Sequence, residues 1–216
     1  NDLDPDRYFA LRRARDTAIS IVQSRSLSIS GRLSLLLLFA VRLQRLIDTE
    51  TYGRLGGLLA CFSDDRAVRR ALARAKRMQS KPSAFFPCWM LLNNMEHLTK
   101  RFESMLDAAM HQDAPPAAFR AELAVPYENL LVYFLFRYAL KAVNDRQLLP
   151  RVAACVFHLL CLRELLDDAG SETALCAAAS LYSKEVEHSE ENQKLLLKLF
   201  RRKTLTWQYL VSVLDA

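Results

Sequence analysis

The stretch PYENLLVYFLFRYAL, residues 126–140, places apolar side chains at Tyr127, Leu130, Leu131, Phe134, Leu135 and Tyr138, the i, i+3, i+4, i+7, i+8, i+11 series of one helix face. Val132, Phe136 and Leu140 make the opposite face apolar too, which predicts a helix buried on most sides. The stretch LLPRVAACVFHLLCLRELL, residues 148–166, repeats the theme through its unbroken run from Val152 to Phe157. Two helices without a polar face cannot shield one another, so further helices must enclose them. The chain is therefore expected to be all-α: a helical bundle-like domain of about ten helices and no sheet.

Composition agrees. Only 5 Gly and 7 Pro punctuate 216 residues, too few turn formers for a β-rich protein of this size. Hydrophobic residues at 51% and charged residues at 25% exclude a disordered or fibrous chain. Outward from the centre, Asp4-Pro5 predicts a capped helix over 5–24, and Ser28 caps a second through Ile47. A short helix over 51–62 contains Gly53, Gly56 and Gly57, small enough to let helices approach closely. A basic helix over 64–79, one long helix over 85–110 and a last helix around Trp207 to Leu214 complete the set. The segment from His111 to Pro116, with Pro115-Pro116, reads as a linker, giving one domain over 1–216 with two lobes, 1–111 and 117–216.

The longest apolar run, Val152 to Leu162, falls short of the roughly 18 residues that a membrane span requires, so no membrane partner is expected. The net charge of +6 lies in the first half, where 18 Lys or Arg face 11 Asp or Glu through residue 108. The helix carrying Arg66, Arg69, Arg70, Arg74, Lys76 and Arg77 lacks interleaved aromatic rings, so it reads as a solvated amphipathic helix rather than a nucleic-acid platform. Five widely spaced cysteines, Cys61, Cys88, Cys155, Cys161 and Cys176, read as reduced core thiols of a cytosolic protein. None has the spacing of a thiolate metal site.

Polar residues inside apolar helices need partners. Arg137 should pair with an acid such as Glu128 or Glu164, and His158 should be a hydrogen-bonded core histidine. The densest polar cluster runs from Leu181 to Asn192. Its Glu185 and His188 stand three apart, half of a helical di-iron site, but no second Glu-x-x-His accompanies them and no metal is expected. A solvated helix face is the plain alternative.

The cluster YSKEVEHSEEN, residues 182–192, resembles a block near the end of bacterial flagellin lysine-N-methylases. ENLLVYF at 128–134, KAV at 141–143, LPRV at 149–152 and QSRSLS at 23–28 are similar to further stretches of that family. The resemblance implies a cytoplasmic enzyme that transfers methyl groups from S-adenosylmethionine to flagellin lysines, with an iron–sulfur cluster held by cysteines near its N-terminus. Those close-set cysteines have no counterpart here. The resemblance thus implies the C-terminal helical portion, with a [4Fe-4S] cluster expected in a segment upstream of Asn1; composition and size predict a chain that folds alone, and the scattered cysteines one that does not methylate alone.

Methyl transfer to lysine requires a neutral amine and an acceptor for its proton. Tyr182, Glu185, Glu187, His188 and Tyr127 are the candidate catalytic residues, and Glu128, Asn129, Arg137 and Asn192 the candidate substrate- or cofactor-binding ones. The 182–192 segment is expected to be helical, with part of its polar face turned toward a cleft. The competing classes are a helical interaction module without chemistry and a basic helical nucleic-acid-binding regulator.

Overall fold

A computed structural model describes residues 4–78, 85–110, 118–166 and 170–214, and the expected 111–116 linker lies outside them. Among the described residues there are eleven α-helices of at least eight residues, one single turn and no strand. Helix α1 spans Pro5–Val22, α2 Ile29–Asp48, α3 Leu55–Ser63 and α4 Asp65–Met78. Next come α5 (Phe86–Asn93), α6 (Lys100–Met110), α7 (Ala124–Tyr138), the turn α8 (Ala142–Asp145) and α9 (Leu148–Glu164). The chain closes with α10 (Glu172–Tyr182), a π-helical turn over Ser183–Glu187, α11 (Glu190–Arg201) and α12 (Trp207–Leu214).

The starts follow local chemistry. Asp4 accepts a hydrogen bond from the Arg7 N–H at 3.1 Å ahead of Pro5, and Ser28 accepts one from Gly31 N–H at 3.1 Å. Each satisfies a backbone donor that the first helical turn leaves open. Asp64, Ser171, Ser189 and Thr206 do the same for α4, α10, α11 and α12.

Helix α9 forms the centre. All but three of its residues are buried, and α2, α7, α10, α11 and α12 pack on it, while α1 bridges α2 and α7. On α2 the buried run from Arg32 to Ala40 shows how completely its middle is enclosed. One connected set of apolar side chains reaches from Ala10 in α1 to Leu214 in α12.

Four expectations need correction. The helix foreseen over 85–110 is two helices, separated by Asn94–Thr99, because side chains from the distant 185–192 segment capture the backbone there. Helix α7 is buried on one face only: Phe136 is 63% exposed beneath the Arg15 guanidinium, 4.7 Å from its ring centre, and Tyr133 and Arg137 are also exposed. Gly53, Gly56 and Gly57 mediate no close approach, since a Cβ at any of them would meet nothing within 4 Å. Of the cysteines, Cys88, Cys155 and Cys161 are buried, whereas Cys61 and Cys176 are exposed rather than in the core. Burial pushes the Cys88 thiol up to about 12, so it stays protonated at neutral pH.

The two faces of α7 should respond differently to truncation. Phe134, 3% exposed, packs against His158 with ring centres 5.3 Å apart. Phe134→Ala is expected to lower unfolding free energy by ~3 to 5 kcal/mol in urea denaturation. Phe136→Ala should cost about 1 kcal/mol or less, the loss of one surface cation–π contact. Equal costs would contradict this orientation of the helix.

Candidate functional site

The 182–192 block buries Tyr182, Glu185, Glu187 and Asn192 and leaves Lys184, His188, Glu190 and Glu191 exposed. Tyr182 ends α10 and is 1% exposed; its hydroxyl lies 2.8 Å from His158 Nδ1, while Gln193 Nε2 sits 3.2 Å from His158 Nε2. His158 is thus the satisfied core histidine that its position in α9 foretold. Burial drops its pKa to about 4, against the pull of the Glu187 charge and the Gln193 contact, so the ring is neutral near pH 7.

Glu185 and Glu187 are two residues apart, so on a helix their side chains leave in nearly opposite directions, about 200° by the α-helical period. Both are 1% exposed because each meets a different neighbour. Glu185 sits over the start of α6, where it accepts from the N–H groups of Leu98 and Thr99 and from the Thr99 hydroxyl at 2.6 Å. Burial alone would push this carboxyl up, but these donors and the nearby His97 outweigh it and hold it below the ordinary range. Asn192 completes the clasp: its Oδ1 accepts from Glu96 N–H at 3.0 Å, and its Nδ2 donates to the Glu96 and Glu185 carbonyls at 2.9 and 3.0 Å. These two residues stitch the α5–α6 connection to the C-terminal helices.

Other candidates are also interior or isolated. Glu128 is buried between the α1–α2 connection and α7, accepting from Arg25 Nη2 at 3.1 Å and Arg32 Nη1 at 3.0 Å. The Arg25 hydrogen bond leads the effects that hold its carboxyl low despite burial. Tyr127 is buried against Phe119, its hydroxyl unbonded among the described residues, and burial raises it to about 12. Asn129 is exposed on α7, away from these contacts.

Glu187, His188 and Arg137 do come together. Arg137 was expected to pair with Glu128 or Glu164; its Nε instead lies 3.1 Å from Glu187 Oε1. The reason is direction: half-exposed Arg137 leaves α7 on the side that the π turn covers, not on the core side. The Glu187 carboxylate also accepts from the hydroxyls of Ser183 and Tyr138 and, at 3.3 Å, from Tyr133. Arg137 Nη1 donates to the Tyr133 hydroxyl at 3.0 Å, and Lys141 Nζ stands 4.9 Å from the Tyr138 ring centre. Burial would raise the Glu187 carboxyl, yet the Ser183 and Tyr138 hydroxyls and the charges of Arg137 and His188 prevail and keep it low. Sequence reasoning missed Tyr133, Tyr138 and Ser183. Only the i, i+4 spacing of Tyr133 and Arg137 hinted at them.

His188 is the outward member. Its Nε2 lies 3.1 Å from Glu187 Oε2, its side chain is 49% exposed, and no hydrogen bond reaches its Nδ1 among the described residues. A carboxylate partner at Nε2 favours the N–H there and leaves the lone pair on Nδ1. The block is not one helix, as expected, but a π turn followed by a break at His188-Ser189. That insertion lets Glu187 face inward while His188 faces out. Among the described residues, no three His, Cys, Asp or Glu side chains gather as a metal ion would need.

These ionisations set the acid stability. With His158 at about 4 when folded and near 6.5 when unfolded, the unfolded chain binds the extra proton between those values. Stability is therefore whole above about pH 6.5 and falls by about 3 kcal/mol as pH drops to about 4. The lowered carboxyls of Glu128, Glu185 and Glu187 hold their contribution above the ordinary carboxylate range and lose it at still lower pH. Urea melts across this range should show both stages, and a flat profile from about pH 7 to 4.5 would disprove the neutral buried histidine.

No curated protein and no solved structure matches the chain. Among the described residues, no helix is long and apolar enough to cross a membrane. The family model described as the FliB lysine N-methylase C-terminal domain matches residues 15–213, a span that runs from α1 through α12 and takes in the Glu187–His188 pair. With nearly its whole length matched, the chain belongs to the FliB lysine N-methylase C-terminal domain family.

Proposed function

We propose that this chain is the C-terminal helical body of a cytoplasmic, S-adenosylmethionine-dependent flagellin lysine methyltransferase, and that His188 takes the proton which the substrate lysine must shed. The observation that carries the second part is the pair itself: a buried, ionised carboxylate beneath a half-exposed imidazole whose outer nitrogen has no partner among the described residues. Family membership carries the first.

Near neutral pH a lysine amine is protonated in all but roughly one molecule in a thousand. Only the neutral amine has the lone pair that attacks the methyl carbon, as the carbon–sulfur bond breaks and its electrons return to sulfur. His188 Nδ1 accepts the ammonium proton, while Glu187, 3.1 Å from Nε2, holds the ring in place. Arg137 offsets the Glu187 charge, and exposed Lys141, over the Tyr138 ring that Glu187 contacts, adds positive charge that disfavours the ammonium of an approaching lysine. The exposed ring of Tyr133, whose hydroxyl contacts Glu187, offers apolar surface to its methylene stem.

No residue of this chain is assigned to the methyl donor. A ribose is commonly held by a free carboxylate, and Glu187 is already engaged by Arg137, Tyr133, Tyr138, Ser183 and His188. The thiols likewise do not fit an iron–sulfur cluster: three are buried apart from any metal-like group, and two are exposed. Both groups are expected to be held by other parts of the enzyme.

The test is His188→Ala in the enzyme that contains this domain. Methylation of flagellin should slow by about 100-fold in kcat with KM nearly unchanged, since general-base groups contribute at least that much. Raising the pH should restore part of the rate, and the melting temperature should hold because the ring is half exposed. A variant that methylates at the parental rate, with the parental pH profile, would remove His188 from the reaction. A rise in KM alone would favour a docking role without chemistry.

A further inference from the structure

The basic turn at Arg201-Arg202-Lys203 takes no part in the Glu187–His188 pair. It borders a cleft of about 470 Å3 between the second half of α2, the start of α9 and the α11–α12 connection. Arg45, Arg201 and Lys203 line it, and none of the three makes an ion pair with a described residue. Its one acid, Asp48, is held by the Gln44 amide at 2.8 Å. Leu149, Ala153 and Leu205 supply an apolar wall, and the part-exposed Trp207 supplies an aromatic surface. An adjoining hollow of about 310 Å3 shares Gln147, Pro150 and Arg201 and adds Lys198, which makes no ion pair with a described residue, together with Asp145 and Lys194, which pair with Arg151 and with Glu190 and Glu191.

The backbone at the turn is unusual. Lys203 has φ 58°, the left-handed region, at the position after α11 where its N–H bonds Phe200 O at 3.2 Å and Thr204 N–H bonds Leu199 O at 3.1 Å. Glycine would fit that position without steric cost; lysine occupies it here, as Glu50 and Arg146 occupy the same left-handed region elsewhere. What lysine adds is a cation at the lip of the cleft.

We propose that this cleft binds a nucleoside diphosphate, with its phosphates toward Arg45, Arg201 and Lys203 and its base against Trp207. The volume falls in the range that encloses small organic ligands, and the pairing of cations with an apolar, aromatic wall selects an anion that carries a flat ring. A bare phosphate would leave the Trp207 side unused. S-adenosylmethionine, with its sulfonium charge, would face repulsion from the same three cations, so this site differs in chemistry from a methyl-donor pocket and shares no residue with the Glu187–His188 pair.

Calorimetric titration of the 216-residue chain with adenosine diphosphate, adenosine, inorganic phosphate and S-adenosylmethionine tests the assignment. Adenosine diphosphate should bind with a dissociation constant below about 1 mM, at least ten times more tightly than each of the other three. It should also change the Trp207 emission. Arg201→Ala and Lys203→Gly should each weaken it by about tenfold. Lys203→Gly relieves the left-handed backbone, so its melting temperature should equal or exceed that of the parent, which separates lost charge from lost fold. Phosphate binding as tightly as the diphosphate would mean a charge patch only; adenosine binding as tightly would mean an apolar hollow only. Either result, tighter binding of S-adenosylmethionine, no binding of the diphosphate, or indifference to both substitutions overturns the proposal.

Discussion

A helix with no polar face must be enclosed on every side, and α9 imposes that condition on the whole chain. Its residues from Val152 to Arg163 are buried without interruption, so α2, α7, α10, α11 and α12 have to surround it. In the middle stands His158, whose two ring nitrogens would each be costly to leave unbonded. Tyr182 from the end of α10 answers one and Gln193 from α11 the other. Those contacts pin both ends of the intervening segment. The π turn and the His188-Ser189 break are how the chain spans that short gap, and they aim Glu187 and His188 as they do.

Buried carboxylates carry the same logic outward. Glu128, Glu185 and Glu187 each lie within a few per cent of full burial, and each draws its partners from remote parts of the chain. Glu128 ties the α1–α2 connection to α7, Glu185 ties the start of α6 to the π turn, and Glu187 ties the π turn to α7. An ionised carboxylate left without its donors inside a protein costs several kcal/mol, so these pairings resist the loss of any one partner. They specify which segments meet. The apolar contacts alone would tolerate a looser arrangement.

The helical periodicity of 126–140 and 148–166 was enough to place α7 and α9, though only α9 proved central, and the caps at Asp4 and Ser28 were legible because they act within three residues. The break between α5 and α6 was not. No Pro or Gly marks Asn94–Thr99, and the backbone there is diverted by Glu185 and Asn192, about 90 residues away in sequence. The same limit applies to the site. Glu187, His188 and Arg137 could be named as residue types, but their union depends on the π turn, and periodicity assigns Arg137 no direction. Phe136 reads as core by its chemistry and lies at the surface, since an apolar pattern cannot distinguish an enclosed face from one capped by an arginine.

Placing carboxylates inside also shapes the field outside. At the Glu187–His188 pair, Glu187 is screened by the groups around it, while Arg137 and Lys141 remain near the surface. The exterior is therefore more cationic than the net charge of +6 suggests, both here and along the Arg45–Arg201–Lys203 cleft. A lysine approaching such a surface meets repulsion, which slows encounter but favours the neutral amine once it is held. Salt screens the first effect over roughly 8 to 10 Å and leaves the second, acting at contact, largely intact. Under the proposed reading, in which a lysine sheds its proton beside His188, the long-range penalty fades under physiological salt while the short-range gain in free amine persists.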